Sequence, residues 1–175
     1  YSSFLVSPCY QGELSCLSCH SMHGGDPNDQ LKPEMIADEG CLQCHEDIRK
    51  NIPAHTHHAI GSSGSSCYNC HMPHTTYALF KAIRSHALGA SPSVEESLYG
   101  RRPNACNLCH LDKSLAWTSR HLQEWYGHAP VSIPAEDRER SAALLWLLRG
   151  DAGARALSAW SMSWQPAIEA SSGRE

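Results

Sequence analysis

Four copies of one pentapeptide, Cys-x-x-Cys-His, limit what this chain can fold into more than any other feature. They read Cys16-Leu17-Ser18-Cys19-His20, Cys41-Leu42-Gln43-Cys44-His45, Cys67-Tyr68-Asn69-Cys70-His71 and Cys106-Asn107-Leu108-Cys109-His110. Two cysteines three positions apart can form thioethers with the two vinyl groups of one haem, while the next residue ligates the iron. Zinc ribbons and redox dithiols also use Cys-x-x-Cys, but neither requires a histidine after the second cysteine. With 12 His in 175 residues, His would follow all four pairs by chance with a probability of about 2 × 10⁻⁵, so the pattern reads as covalent haem. One haem c per pentapeptide gives four. Such attachment takes place outside the cytoplasmic membrane, so the expected location is exported, periplasmic or extracellular.

The rest of the composition agrees with a chain built around a cofactor. The hydrophobic share of 41% includes 9 Cys, while Phe numbers only 2, so the protein-only core is thin. Haem macrocycles are expected to supply the missing apolar surface, with eight thioethers as local staples, and without haem the chain is not expected to fold. The longest apolar run covers 142–148, far short of the ~20 residues that span a bilayer, which excludes a transmembrane helix. A net charge of −4 gives no basic field for nucleic acid. The chain starts at Tyr1 without Met or a signal peptide, as a processed product or a fragment would.

Every Cys lies within 9–109 and every His within 20–128, which separates a tetrahaem domain, 1–128, from a helical tail, 129–175. Breakers such as Pro8, Pro33, Pro53, Pro73, Pro92 and Pro103 make the first part loop-rich. The expected fold class is mostly irregular, with short α-helices around four covalently bound haems, a C-terminal α-helical hairpin and little or no β. Short helices are expected over 16–20, 41–50, 75–87 and 112–126. In the tail, Pro134 suits a first helical position ahead of Glu136 and Asp137. Leu144, Leu145, Trp146, Leu147 and Leu148 then form an apolar helix ending at Gly150. Asp151 can cap a second helix, with Leu157, Trp160 and Trp164, that Pro166 stops.

Proximal ligation uses His20, His45, His71 and His110. Eight further histidines, His23, His55, His57, His58, His74, His86, His121 and His128, stand available for four sixth positions. An iron held by two imidazoles is saturated and exchanges electrons, whereas one lacking the second ligand is a potential catalytic centre. The surplus favours saturation. His23 is too close to His20 to cross its own haem and would reach a neighbour's. His55 and His58, at i and i+3, would point the same way on a helical turn. His86 competes with His74, His121 and His128 for the last iron. Met22 and Met72 lie too near a motif histidine to reach the opposite face, and surplus imidazole weighs against Met35. Trp117 and Trp125 share one helix face and read as packing; Arg101 and Arg102 read as propionate partners or as solvated surface. Cys9 is unpaired, with a plain thiol or an intermolecular disulfide weighed against iron or lipid attachment.

The stretch Ser15 to His23, the His55 to His58 cluster, Cys67-Tyr68-Asn69-Cys70-His71-Met72-Pro73, Arg84-Ser85-His86 and Arg102-Pro103-Asn104-Ala105 before the last motif together resemble the multihaem c-type cytochromes of the cytochrome c554-like group. Exported bacterial members carry such a module ahead of helical repeats, and a similar four-haem arrangement is found in extracellular cytochrome filaments. The resemblance covers most of 9–127 and implies electron transfer through stacked bis-His haems, with His23, His55, His58 and His86 as distal ligands. The tail looks like the first unit of a helical repeat.

The expected function is therefore low-spin electron transfer without enzymatic chemistry, as a complex subunit or a filament protomer. Redox proteins, other cytochrome subunits or further copies of the chain are the expected partners. The alternative is a multihaem reductase of nitrite, hydroxylamine or a similar nitrogen species, which needs one open iron.

Overall fold

The computed structural model describes residues 2–77, 81–88, 92–98 and 102–171. They form two compact units, one holding residues up to Met72 with the segment from Ser85, the other holding Pro73–Arg84 with the residues from 92 onward.

The first unit contains α1 (Ser2–Leu5), α2 (Pro8–Gln11), α3 (Cys16–Cys19), α4 (Glu39–Leu42), α5 (Glu46–Arg49), α6 (Ile52–Thr56) and α7 (Cys67–His71). None exceeds five residues, because Pro, Gly and Ser recur too often for propagation. The helix expected over 41–50 is broken into α4 and α5, since His45 between them has a non-helical backbone, φ −99 and ψ 54. Among its described residues, this unit buries only Phe4 and Leu42 as apolar side chains, yet exposes Val6, Leu17, Met22, Ile36 and Ile60. So little apolar burial, worth roughly 2–3 kcal/mol per large side chain, is far below what orders a unit of this length.

The second unit opens with β1 (His74–Tyr77) and β2 (Lys81–Arg84), an antiparallel pair that runs from His74 opposite Arg84 to Tyr77 opposite Lys81. This replaces the helix expected over 75–87, of which 78–80 lie outside the described residues. Thr75, Thr76, Tyr77 and Ile83 are β-branched or aromatic and suit a pleated surface better than a helix. Next come α8 (Val94–Leu98), α9 (Ala105–Cys109), α10 (Leu115–Tyr126), α11 (Ala142–Arg149), α12 (Ala152–Ser161) and α13 (Gln165–Ser171).

This unit has a conventional core. Val94, Leu115, Leu122, Ile133, Ala142 and Trp146 pack as one buried cluster. Helix α10 contributes Leu115, Thr118 and Leu122 from one face; Ser114 caps it by accepting from the Trp117 N–H, and Gly127, at φ 68, ends it. Helices α11 and α12 join at Gly150 and Asp151, and each has a side-chain cap at its N-terminus. Ser141 Oγ accepts from the Leu144 N–H at 3.1 Å and Asp151 Oδ1 from the Ala154 N–H at 2.8 Å, so Asp151 caps as expected. Small residues let the two helices approach: Ser158, fully buried, donates to the Ala143 carbonyl at 3.2 Å.

Two expectations for the tail change. Pro134 precedes only a 3₁₀ turn, Ala135–Asp137, and Asp137 is buried in an ion pair with Arg149 instead of sitting in the first turn of a long helix. Pro166 does not stop the last helix; it lies in the first turn of α13, where a missing N–H costs no intrahelical bond. The expected class, short helices with a minimal sheet and helical C-terminal elements, is the one observed. No helix among the described residues is long and apolar enough to cross a membrane.

Candidate haem-binding sites

Each pentapeptide sits on a single helical turn whose ends are fixed by side chains or backbone nearby. In the first, the Ser15 N–H donates to Ser18 Oγ at 3.0 Å, and the His20 N–H closes the turn on the Cys16 carbonyl at 2.9 Å. His20 pairs as an isolated bridge with Leu31, and its Nδ1 lies 2.9 Å from the Asp29 carbonyl. Only Nδ1–H can bond a carbonyl, so the Nε2 lone pair is left for a metal, the usual arrangement of a ligating histidine. His58 has the same arrangement, with Nδ1 2.6 Å from the Thr56 carbonyl.

The second and third motifs are tied through Asp38. This residue precedes α4, and the Cys41 N–H bonds its carbonyl, while its carboxylate accepts from the Cys67 N–H at 2.8 Å and from Ser66 Oγ at 3.2 Å. Tyr68 reaches the same neighbourhood, donating its hydroxyl to the Met35 carbonyl at 3.1 Å. The Cys41 and Cys67 sulfurs hydrogen-bond; that contact pushes the Cys41 thiol down and, with burial, the Cys67 thiol up. Attachment points of two different motifs therefore touch.

The fourth motif rests on a buried amide network. Asn104 caps α9 by accepting from the Asn107 N–H at 3.0 Å, and its amide donates to Ser97 Oγ at 2.8 Å and to Asn107 Oδ1 at 3.0 Å. Thr118 donates to Asn107 Oδ1 at 2.7 Å, and Asn107 Nδ2 donates to the Lys113 carbonyl at 3.1 Å. Helix α13 closes the site from another side, with Ser171 Oγ donating to the Cys109 carbonyl at 2.9 Å and accepting from the Leu111 N–H at 3.1 Å. The two peptides flanking His110 are thus held by one C-terminal side chain. Trp117 stands against His110 at 5.1 Å and against His121 at 4.3 Å, a packing role.

Two of the sequence-selected distal histidines face a motif histidine. His55 and His71 have ring centroids 6.0 Å apart with planes inclined by 10°; His20 and His86 are 6.1 Å apart and inclined by 32°. Two metal–nitrogen bonds of about 2 Å end to end, with a ring radius of ~1 Å added on either side, require a separation of about 6 Å. The residues present fit an iron between each pair. His86 accordingly stands at the first motif.

The other candidates are placed differently. His55 and His58 do not share a helix face, because α6 ends at Thr56 and His57 adopts a left-handed backbone, φ 56. The His58 ring lies over Gly64, where a Cβ would come within 2.1 Å of its Cδ2, so only glycine fits there. His23 and His45 are exposed and make no ring contact with another imidazole among the described residues. Met35 is engaged, its sulfur accepting from Gln43 Nε2 at 3.2 Å. Cys9 is half-buried, and burial, then the proximity of Cys41 and Cys44, raises its thiol pKa. Arg102 is exposed; Arg101 lies outside the described residues. Sequence reasoning missed Asp38, Gly64, Asn107 and Ser171. Of these, Asn107 alone carried a signal, as a polar residue inside a motif, three residues from Asn104.

The haem reading is supported by comparison with known families, although no curated protein and no solved structure matches the chain significantly. Residues 7–50, which span the first two pentapeptides, match the family described as doubled CXXCH motif. That match, over the first two attachment turns, supports a haem-binding, electron-transfer cytochrome of the multihaem c type.

Proposed function

We propose that this chain is an exported tetrahaem cytochrome that relays electrons through four bis-His, low-spin haems and makes or breaks no bond in a substrate. The observation that carries the reading is the pair of imidazole couples, His55 with His71 and His20 with His86, each at the separation an iron demands. Bound haem supplies a one-electron Fe(III)/Fe(II) couple; two fixed imidazoles keep the coordination the same in both states and leave no position for substrate. His45 and His110 complete the proximal set, and His23 and His58 are the remaining distal candidates. The chain's −4 charge, joined by haem propionates, suits a basic redox partner or a further cytochrome subunit, in a complex or a filament. A native mass spectrum of the mature protein tests the count and the assembly together: four haems are expected, and fewer would refute the tetrahaem reading.

One observation favours a second reading. His45 is exposed and makes no ring contact with another imidazole among the described residues, so the second motif is one place to look for an open iron. A reductase of nitrite or hydroxylamine would need such an iron. Oxidised protein titrated with cyanide and with nitrite separates the two: an unchanged low-spin spectrum supports the relay, and a shift in the unsubstituted protein supports the reductase.

A further inference from the structure

Two cysteine sulfurs from different motifs share one acidic neighbour. The Cys67 sulfur hydrogen-bonds both the Cys41 sulfur and the Asp38 carboxylate, and all three residues belong to the first unit. Each sulfur is the atom through which its motif holds a haem. The carboxylate therefore stands against the attachment edge of the third haem and one sulfur away from that of the second. Asp38 is fixed there from both ends. Its backbone carbonyl accepts from the Cys41 and Leu42 N–H groups, each at 2.9 Å, and its Oδ1 accepts from the Cys67 N–H at 2.8 Å and from Ser66 Oγ at 3.2 Å.

The charge of this carboxylate is not cancelled nearby. Its neighbour Glu39 is paired with Arg49 at 2.8 Å, whereas Asp38 takes part in no ion pair among the described residues and meets neutral donors. Tyr68, whose hydroxyl donates to the Met35 carbonyl, adds no charge, because burial pushes its phenol above the usual tyrosine range. Asp38 is also half-buried, so solvent and salt screen it less than an exposed carboxylate.

A fixed negative charge beside a haem edge opposes the arrival of an electron there. Thioether formation strengthens the effect, because it removes the sulfur protons and leaves the Cys67 N–H and the Ser66 hydroxyl as the donors. We propose that Asp38 sets the potentials of the second and third haems together, holding both below the values they would have beside a neutral residue. Each reduction adds one electron, delivered by the redox partner of the relay, to one Fe(III); no bond and no proton changes at Asp38. The inference rests on haem being attached at both motifs.

The test is a spectroelectrochemical titration of the intact, haem-loaded protein. Asp38→Asn keeps an oxygen that can accept from the Cys67 N–H and the Ser66 hydroxyl, and it removes the charge. Two of the four midpoint potentials are expected to rise, with the Fe(II)/Fe(III) ratio of those haems at a fixed poise increasing at least about threefold, while the other two stay. Asp38→Glu keeps the charge but displaces the acceptor, and all four potentials are expected to remain parental. Unmoved potentials in Asp38→Asn, a shift of one haem alone, or an equal shift of all four overturns the proposal. So does the reverse pattern, a shift in Asp38→Glu with none in Asp38→Asn, which makes the residue a structural cap only. Should Asp38→Asn not retain its haems, Asp38→Ser decides in its place, since its hydroxyl can accept and carries no charge. A mass spectrum of the parent with no haem on peptide 41–44 or 67–70 defeats the attachment reading first, before any potential is measured, and the proposal falls with it.

Discussion

His55 and His71 face one another with centroids 6.0 Å apart and ring planes within 10° of parallel, although 16 positions separate them and α6 and α7 present them from different turns. An iron between them accounts for it. His55→Ala is expected to open the third haem, giving a high-spin signal that cyanide abolishes, whereas His55→Met keeps the haem low-spin and raises its potential. Electron paramagnetic resonance with a redox titration reads both; a fully low-spin His55→Ala protein would remove His55 from the ligand set.

Asp38 joins the second and third motifs, because its backbone receives the Cys41 N–H while its carboxylate receives the Cys67 N–H and the Ser66 hydroxyl. Loss of a capping carboxylate costs about 1 kcal/mol, up to ~2 where more than one donor is left unpaired. Asp38→Ala is expected to lower the unfolding free energy of the holoprotein by that amount and the denaturation midpoint with it, with Asp38→Asn intermediate because its amide oxygen can still accept. Guanidinium titration followed by circular dichroism checks it; equal midpoints for Asp38→Ala and the parent would show that these bonds contribute nothing.

Asn107 is fully buried and links Asn104, Thr118 and the Lys113 carbonyl. Removing its amide leaves several buried groups without partners, each costing about 1–3 kcal/mol. Asn107→Leu, close in volume, is expected to destabilise the second unit by at least ~2 kcal/mol and to disorder the fourth attachment turn. Haem stoichiometry by mass spectrometry should fall by one in a fraction of molecules. Full loading with parental stability would mean that the network is dispensable.

These residues show how far the sequence was readable. The pentapeptides, the Asp151 cap and the helix expected over 112–126, observed from Leu115 to Tyr126, follow from local patterns, since a capping group or a motif declares itself within four or five positions. The hairpin at 74–84 was hidden because β-branched residues at 75, 76 and 83 signal strand only weakly when no alternation runs beyond four residues. Asp38 and Ser171 were hidden for another reason. Their partners lie 29 and 62 positions away, and nothing in a single sequence marks such a pairing. The opposition of His86 to His20 is equally non-local, and composition could count the surplus imidazoles without pairing them.

His74 supplies a pH prediction whose sign follows from its burial. Desolvation, and then the positive charge of Arg84 opposite it, pushes its pKa down to about 4, while Trp160 and Trp164, packed on its ring, carry no charge. In the unfolded chain it titrates near 6.5, so from there down to about 4 the unfolded state binds a proton that the folded state refuses. The stability owed to neutral His74 is complete above about pH 6.5, falls as the pH drops through that window and levels off below about 4. Other histidines and the haem propionates titrate in the same range, so the informative quantity is the difference between the parent and His74→Phe, which keeps an aromatic ring against the two indoles and carries no proton. Melting temperatures followed at the helix band should diverge on acidification, with the variant gaining on the parent below about pH 6.5. Parallel curves across the window would show that His74 is protonated as easily folded as unfolded, and that its ring is not sealed by the indoles.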